Sequence, residues 1–357
     1  MVKVVAQMRL QYQNLQITSE MLALIAELDE FKGAWRALGT LAPERLAALR
    51  KVATLESIGS STRIEGARLS DREIELLLSR LETHSFQSRD EEEVAGYAEA
   101  MDRIFMSYDV IPLTENHVKQ IHGILLRHST KDDHHRGQYK TLSNNVEAFD
   151  SDGKSLGIVF QTTSPFETPL KMQELVTTIQ SAIADANFHP LLAIAVFVVV
   201  FLAIHPFQDG NGRLSRILTT LLLLKTGYLY VPYSSLESVI EANKESYYLA
   251  LRRTQMTLDQ AQPDWEPWIL FFLRSLQRQK SKLAEKLERE RLMAGELPLL
   301  GQSILDMVRQ HGRISMRAIV RATGQSRSTI KLRLTELVRK NILVRHGKGR
   351  STWYTQA

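Results

Sequence analysis

Apolar residues recur every three or four positions along most of this chain, a spacing that predicts helices at 21–31, 43–55, 70–81, 91–105, 114–126, 170–186, 191–204 and 214–225. The 191–204 stretch is apolar on every face, so it is expected at the centre, ringed by other helices. Between 137 and 165 the period changes. Residues 145–149 and 156–161 read as strands around Asp150-Ser151-Asp152-Gly153, a hairpin pattern. A lone hairpin is marginal and needs a partner strand or a supporting surface. Residues 265–276 read as a buried aromatic helix. A charged stretch follows at 278–291, where Glu285 and Arg289 are spaced for an exposed helix, and Gly295 and Pro298 mark a boundary. Beyond it, helices are expected at 302–310, 315–322 and 326–340, then strands at 342–345 and 351–355. Ser315 and Ser326 are N-cap candidates, and Gly324 a helix stop.

Composition narrows the class. With 357 residues and 44% apolar content, two or three domains with real cores are affordable. The absence of cysteine excludes disulfide scaffolds, thiolate zinc sites and cysteine nucleophiles. The first residues lack the apolar run of a secretory signal. The longest apolar stretch, 14 residues, falls short of the roughly 20 that span a bilayer, so the expectation is a soluble cytoplasmic protein with no membrane partner. Charge is uneven. Residues 301–357 carry 12 Lys+Arg against 2 Asp+Glu, leaving −5 of the net +5 on the first 300. A basic tail on an acidic body points to a separate module that meets a polyanion.

The chemistry concentrates in His205-Pro206-Phe207-Gln208-Asp209-Gly210-Asn211-Gly212-Arg213-Leu214-Ser215-Arg216. An imidazole at the end of the buried helix can serve as a general base at neutral pH. Gly210, Asn211 and Gly212 open the next helix and direct its free amides outward, an anion cradle. Asp209 is a hard oxygen ligand suited to Mg²⁺ beside phosphates. Arg213 and Arg216, three apart, share a helix face and can reach a polyphosphate. Together these describe nucleotidyl or phosphoryl transfer. His134-His135 sits in a solvated loop, and His122 is expected to pack or to face solvent.

This segment resembles the signature of the Fic family, HPFx(D/E)GNGRxxR, at every specified position, within a resemblance running from about Ser61 to Leu276. It implies a mainly α fold: a Fic-type helical core with a β-hairpin flap. It further implies that His205 deprotonates a Tyr, Thr or Ser hydroxyl of a protein target, and that Asp209 holds Mg²⁺ on the phosphates of ATP. Asn211 with the glycine amides would grip the α-phosphate, and Arg213 and Arg216 the β- and γ-phosphates. The kinase-like Doc branch resembles this motif but carries a lysine in the glycine-rich turn, so Gly212 argues for AMP transfer. Gly137-Gln138-Tyr139-Lys140 resembles the lead-in to the flap, whose edge aligns the target by strand addition, with Val146 near that edge. Tyr247 and Tyr248 match a tyrosine pair that borders the nucleotide in relatives; core packing is the alternative.

Upstream, Ser61-x-x-x-Glu65-Gly66 resembles the family's inhibitory motif, implying that Glu65 pairs with Arg216 and occupies the γ-phosphate space. The last 57 residues resemble a winged helix-turn-helix. Arg327, Ser328 and Lys331 open its third helix and Lys348 and Arg350 lie in the wing, placed for DNA; protein docking or dimerisation, including a homodimer, is the other use of such a module. The expected layout is an inhibitory helical region at 1–110, a catalytic core at 111–276, a charged helical linker at 277–300 and a winged helix at 301–357. The expected activity is protein adenylyl transfer, self-modification included. A DNA-binding regulator with a nucleotide-sensing core and an AMP-removing enzyme remain the alternatives.

Overall fold

The structure, a computed structural model, describes residues 15–37, 43–80, 86–149, 155–185, 187–296, 299–347 and 352–357. In chain order its elements are α1 Ser19–Ala37, α2 Pro43–Ile64, α3 Asp71–Leu78, α4 Arg89–Ser107, α5 Glu115–Leu125, β1 Val146–Phe149, β2 Ser155–Phe160, α6 Thr168–Ala184, α7 Pro190–Ile204, α8 Asn211–Lys225, α9 Leu236–Glu241, α10 Lys244–Gln255, α11 Glu266–Glu296, α12 Leu299–His311, β3 Ile314–Ser315, α13 Met316–Thr323, α14 Arg327–Arg339, β4 Leu343–His346 and β5 Trp353–Gln356. Two compact units divide the chain: residues within 1–40 and 49–281, and residues within 41–48 and 282–357.

The first unit is built around α7, buried from Leu191 to Ile204 as its uniform hydrophobicity predicts. Helices α6, α8 and α10 pack on it, while α4 and α5 pack on each other and on α8. At about 1.5–3 kcal/mol for each fully buried Val, Leu, Ile or Phe side chain, burial of this helix contributes strongly to the unit's stability. The polar caps that the sequence supplies set the surrounding helix starts: a Ser70–Glu73 capping box for α3, Ser88 for α4 and Thr114 for α5. Among the described residues no helix is long and apolar enough to cross a membrane.

Two expected boundaries move. Helix α2 continues past residue 55 to Ile64 through the weak helix formers Gly59, Ser60, Ser61 and Thr62. Burial of Ile58 and Ile64 and the Thr62 hydroxyl, which donates to the carbonyls of Ile58 and Gly59 at 3.0 Å, carry it through. The aromatic and charged helices expected at 265–276 and 278–291 are one helix, α11, because Leu283 and Leu287 extend the buried series Trp268, Phe272, Leu276. Gly295 lies inside it rather than ending it.

The hairpin pairs β1 with β2 antiparallel, from Val146 opposite Phe160 to Phe149 opposite Ser155, with irregular register after Val146 and before Phe149. Among the described residues no third strand joins it. The expected turn at 150–153 lies outside the described residues.

The C-terminal unit has the three helices and small sheet of a winged helix-turn-helix, with strand order β3-β5-β4. Ile304, Leu305, Val308, Ile319, Ile330, Leu334 and Leu337 form its core. Ser315 and Ser326 cap α13 and α14, and Gly324 ends α13 in the left-handed region, as their sequence positions predict.

Candidate active site

The end of α7 delivers His205 in a left-handed conformation, φ 51°, which turns the chain sharply into the loop before α8. For a non-glycine residue this geometry is unfavourable by roughly 1 kcal/mol or more, so the surroundings must hold it. Its Nδ1 lies 3.3 Å from the carbonyl of Leu202. A carbonyl only accepts, so Nδ1 carries the proton and Nε2 keeps its lone pair. Burial pushes the imidazole down to about 4, which keeps it neutral and proton-accepting at pH 7.

Asn211 closes the loop. Its side-chain oxygen accepts from the Phe207 N–H at 2.9 Å and its amide donates to the Phe207 carbonyl at 2.7 Å. Both ends of the side chain thus tie the loop together, while the amide nitrogen keeps a second N–H that, with the backbone N–H, is left for an anion. Gly210, the residue before α8, gives no side-chain cap, so the first-turn amides of α8 are left for an anion.

His122 packs, one of the two fates expected of it, and in doing so fixes the loop. Its ring stacks on Phe207 with centroids 3.9 Å apart. Nδ1 accepts the Gly137 N–H at 2.9 Å, so Nε2 donates to the Asp209 carbonyl at 3.0 Å. Burial lowers this imidazole to about 4 as well.

A chain of alternating charges runs along the loop's outer side. Asp209 Oδ2 takes a hydrogen bond from Arg89 at 2.6 Å, Arg89 Nε reaches Glu93 at 2.9 Å, and Glu93 lies 2.9 Å from Nη1 of Arg213. The last pair is close enough for an ion pair but not aligned as a hydrogen bond, and Arg213 Nε is buried without a hydrogen-bond partner. Burial works to raise the Asp209 carboxyl, but Arg213, the Gly210 amide and Arg89 hold it below the ordinary carboxylate range. An ionised, partly exposed carboxylate beside a phosphate cradle fits Mg²⁺, which takes one or two carboxylates, phosphate oxygens and water. Arg89 and Glu93 stand more than a hundred residues before the motif, inside the charged run 89–93, and nothing local distinguishes them from a solvated helix start.

Arg216, 4% exposed, faces the end of α2. Its Nη2 donates to Glu65 Oε1 at 2.8 Å and to the Ser61 carbonyl at 2.9 Å, and its Nε donates to Ser61 Oγ at 2.8 Å. The structure thus brings Ser61 and Glu65 onto Arg216. Glu65 follows the last residue of α2, and Gly66 then reverses the chain at φ 109°. Glu65 also lies against Gly212: a Cβ there would overlap the carboxylate where it now lies, so any larger residue would have to displace it.

Tyr247 is 3% exposed and meets Trp268 and Phe271 through its ring, so it is a core residue behind Arg216 rather than an open face for a base. Tyr248, 45% exposed, keeps a face available.

The supporting surface that the hairpin needs is a buried lysine. Lys140 Nζ donates to Asn144 Oδ1 at 2.8 Å, Thr162 Oγ1 at 2.9 Å and the Ile204 carbonyl at 3.0 Å. Asn144 then donates to the carbonyls of His205 and Phe207 at 3.3 and 2.6 Å. Burial lowers Lys140 to about 8, which still leaves it charged at pH 7. Val146 pairs with Phe160 at the open end of the hairpin, next to this anchor. A groove of about 820 Å³ opens beside it, lined by Phe160, Thr162, Ile204, Gln255, Leu258 and Trp265 among others. In the second unit Arg327, Ser328 and Lys331 are exposed at the start of α14; Lys348 and Arg350 lie outside the described residues.

Residues 112–223 match the Fic/DOC family, and residues 300–344 match the winged helix-turn-helix DNA-binding family. Over 96 residues, 27% of this chain, the sequence is 30% identical to a protein of Aquifex aeolicus named as a probable protein adenylyltransferase, and the match spans 29% of that protein. Over 41 residues, 12% of this chain, it is 49% identical to the protein adenylyltransferase Fic of Aedes aegypti, spanning 8% of it. The chain therefore covers less than a third of either relative's length. The crystal structure of a Fic family protein from Desulfovibrio desulfuricans has the same fold, with a TM-score of 0.63 over 96% of this chain and 97% of that one at 22% identity.

Proposed function

From a chain that carries a Fic/DOC family domain at 112–223 and a winged helix-turn-helix at 300–344, we propose a protein adenylyltransferase that moves AMP from ATP onto a Tyr, Thr or Ser hydroxyl and is restrained by its own Glu65. The observation that carries this reading is His205, neutral and with Nε2 unprotonated, beside a helix start with uncapped amides and two buried arginines. The target hydroxyl loses its proton to His205 Nε2 and its oxygen bonds to the α-phosphorus. The bond from that phosphorus to the bridging oxygen breaks, and pyrophosphate leaves. Amides at the start of α8 steady the α-phosphate, while Arg213 and Arg216 take the charge that grows on the leaving group. Asp209 would hold Mg²⁺, which supplies electrostatic stabilisation of the phosphates when bound. The hairpin edge presents the target segment as an added strand.

Incubation with ATP labelled on the α-phosphate should leave the label on protein, either the chain itself or a target in cell extract. Label appearing on protein only from the γ-phosphate would mark phosphoryl transfer and overturn the reading.

The exposed basic start of α14 favours DNA as the ligand of the winged helix. Duplex affinity should fall steeply with salt, about 0.9 per phosphate contact on a log–log plot, and vanish when residues 301–357 are deleted. Salt-independent binding, or none, removes DNA from the reading and leaves protein docking.

A further inference from the structure

Two residues before Glu65, Arg63 ties three pieces of chain together. Its Nε and Nη2 donate to the two carboxylate oxygens of Glu241, the last residue of α9, at 2.7 and 3.1 Å. Its Nη1 donates to Asp71, the first residue of α3, at 2.8 Å and to the Leu69 carbonyl at 3.3 Å. Gly59, one turn back, leaves the room: a Cβ there would stand 2.7 Å from Arg63 Nη1 and 2.8 Å from Asp71 Oδ1.

The placement matters because Glu65 is held by little of its own. It sits beyond the end of α2, in a turn closed by the Glu65 and Gly66 N–H groups bonding to the carbonyls of Thr62 and Arg63. Terminal turns of helices open readily unless something pins them. A planar guanidinium forked onto one carboxylate and bridged to a second fixes the direction of the backbone, which a lysine ammonium cannot do as well. The anchor is also well chosen: α9 leads through Asn243 into α10, whose Tyr247 lies behind Arg216. Both partners of the Glu65–Arg216 contact are thus referenced to the same region.

We propose that Arg63 is the positioning residue of the inhibitory turn, its ion pairs with Glu241 and Asp71 holding Glu65 on Arg216 and setting how often the γ-phosphate space is open. The inference rests on Glu65 being the inhibitor, so Glu65→Gly is measured beside every Arg63 variant of the full chain. Arg63→Ala should raise incorporation of label from α-labelled ATP about five- to tenfold, the worth of one or two partly exposed ion pairs, and less than Glu65→Gly does. By calorimetry it should tighten ATP relative to ADP, since only ATP carries the γ-phosphate. In the Glu65→Gly background the same substitution should change neither quantity, because the carboxylate it positions is gone. Arg63→Lys should fall between the parent and Arg63→Ala. Exchanging the charges, Arg63→Glu with Glu241→Arg, should recover part of the restraint that Arg63→Glu alone removes, because the pair with Asp71 stays lost. If Arg63→Ala does not fold, Glu241→Gln carries the same expectations. Activation by Glu65→Gly but by neither Arg63→Ala nor Glu241→Gln overturns the proposal and leaves the inhibitory reading standing. Equal activation by Arg63→Ala with and without Glu65 also overturns it. No activation by Glu65→Gly removes the inhibitory reading and this proposal together.

Discussion

With Glu65 replaced by glycine, the chain should transfer AMP about ten- to a hundredfold faster than the parent, the range expected when a charge-assisted hydrogen bond of ~1.5–3 kcal/mol no longer competes with substrate. Glu65 takes a hydrogen bond from Arg216 at 2.8 Å and crowds Gly212 at the start of α8, so one substitution clears both the arginine and the helix amides. The freed guanidinium does not drift, because Ser61 still receives hydrogen bonds from Nε and Nη2 at 2.8 and 2.9 Å. Arg216→Ala should not imitate the gain, since on the proposed function the partner of Glu65 is also a ligand of the substrate. Glu65→Gly combined with Arg216→Ala should be as poor as Arg216→Ala alone, as residues acting through one contact require. Initial rates of label incorporation decide the matter: a folded Glu65→Gly protein with an unchanged or lower rate sinks the inhibitory assignment.

His205→Ala should lower transfer by about 10²-fold or more while ATP still binds, because the proposed phosphate contacts belong to α8 and not to the imidazole. Loss of ATP binding along with activity would show instead that the loop had collapsed. The pH profile separates a base from a packing residue. Activity needs the neutral ring, and burial pushes this ring down to about 4. Protonation therefore removes activity only as the pH falls through about 4, and the profile stays level above that to neutrality. A half-loss near 6.5, the value of a solvated imidazole, would mean that burial does not control this group.

The loop from His205 to Arg216 was legible because its chemistry is local: imidazole, carboxylate, glycines and arginines fall within twelve consecutive residues, and the helix on either side has its own unmistakable pattern. The Glu65–Arg216 contact was legible for a different reason. A short spacing of serine and glutamate means little alone, but it gains meaning beside a motif whose arginine it can reach. Arg89, Glu93, His122 and Lys140 were not legible in these roles, since each reaches the loop from a distant part of the chain and each looks locally like an ordinary helix or lead-in residue. Nor does the sequence show that Asn211 closes the loop on Phe207 with both side-chain atoms, since its residue type suits a phosphate equally well. Helix α2 ran past its expected end because burial of Ile64 outweighed the poor propensity of Gly59 and Ser60, and only that extension brings Glu65 to Arg216.

The Lys140 anchor makes the hairpin an exchangeable part. Lys140, Asn144 and Thr162 lie outside the two strands, and they bind the hairpin's feet to the carbonyls of Ile204, His205 and Phe207. Alignment of whatever lies along the hairpin edge with the imidazole is thus a property of the base and not of the strands. If the hairpin edge receives the target, as proposed, divergence of residues 146–160 would change which sequences are accepted without retuning the chemistry. A strand pair grafted between Asn145 and Gln161 would inherit the host's alignment, whereas a graft that carries away any of the three anchoring residues would have to rebuild it.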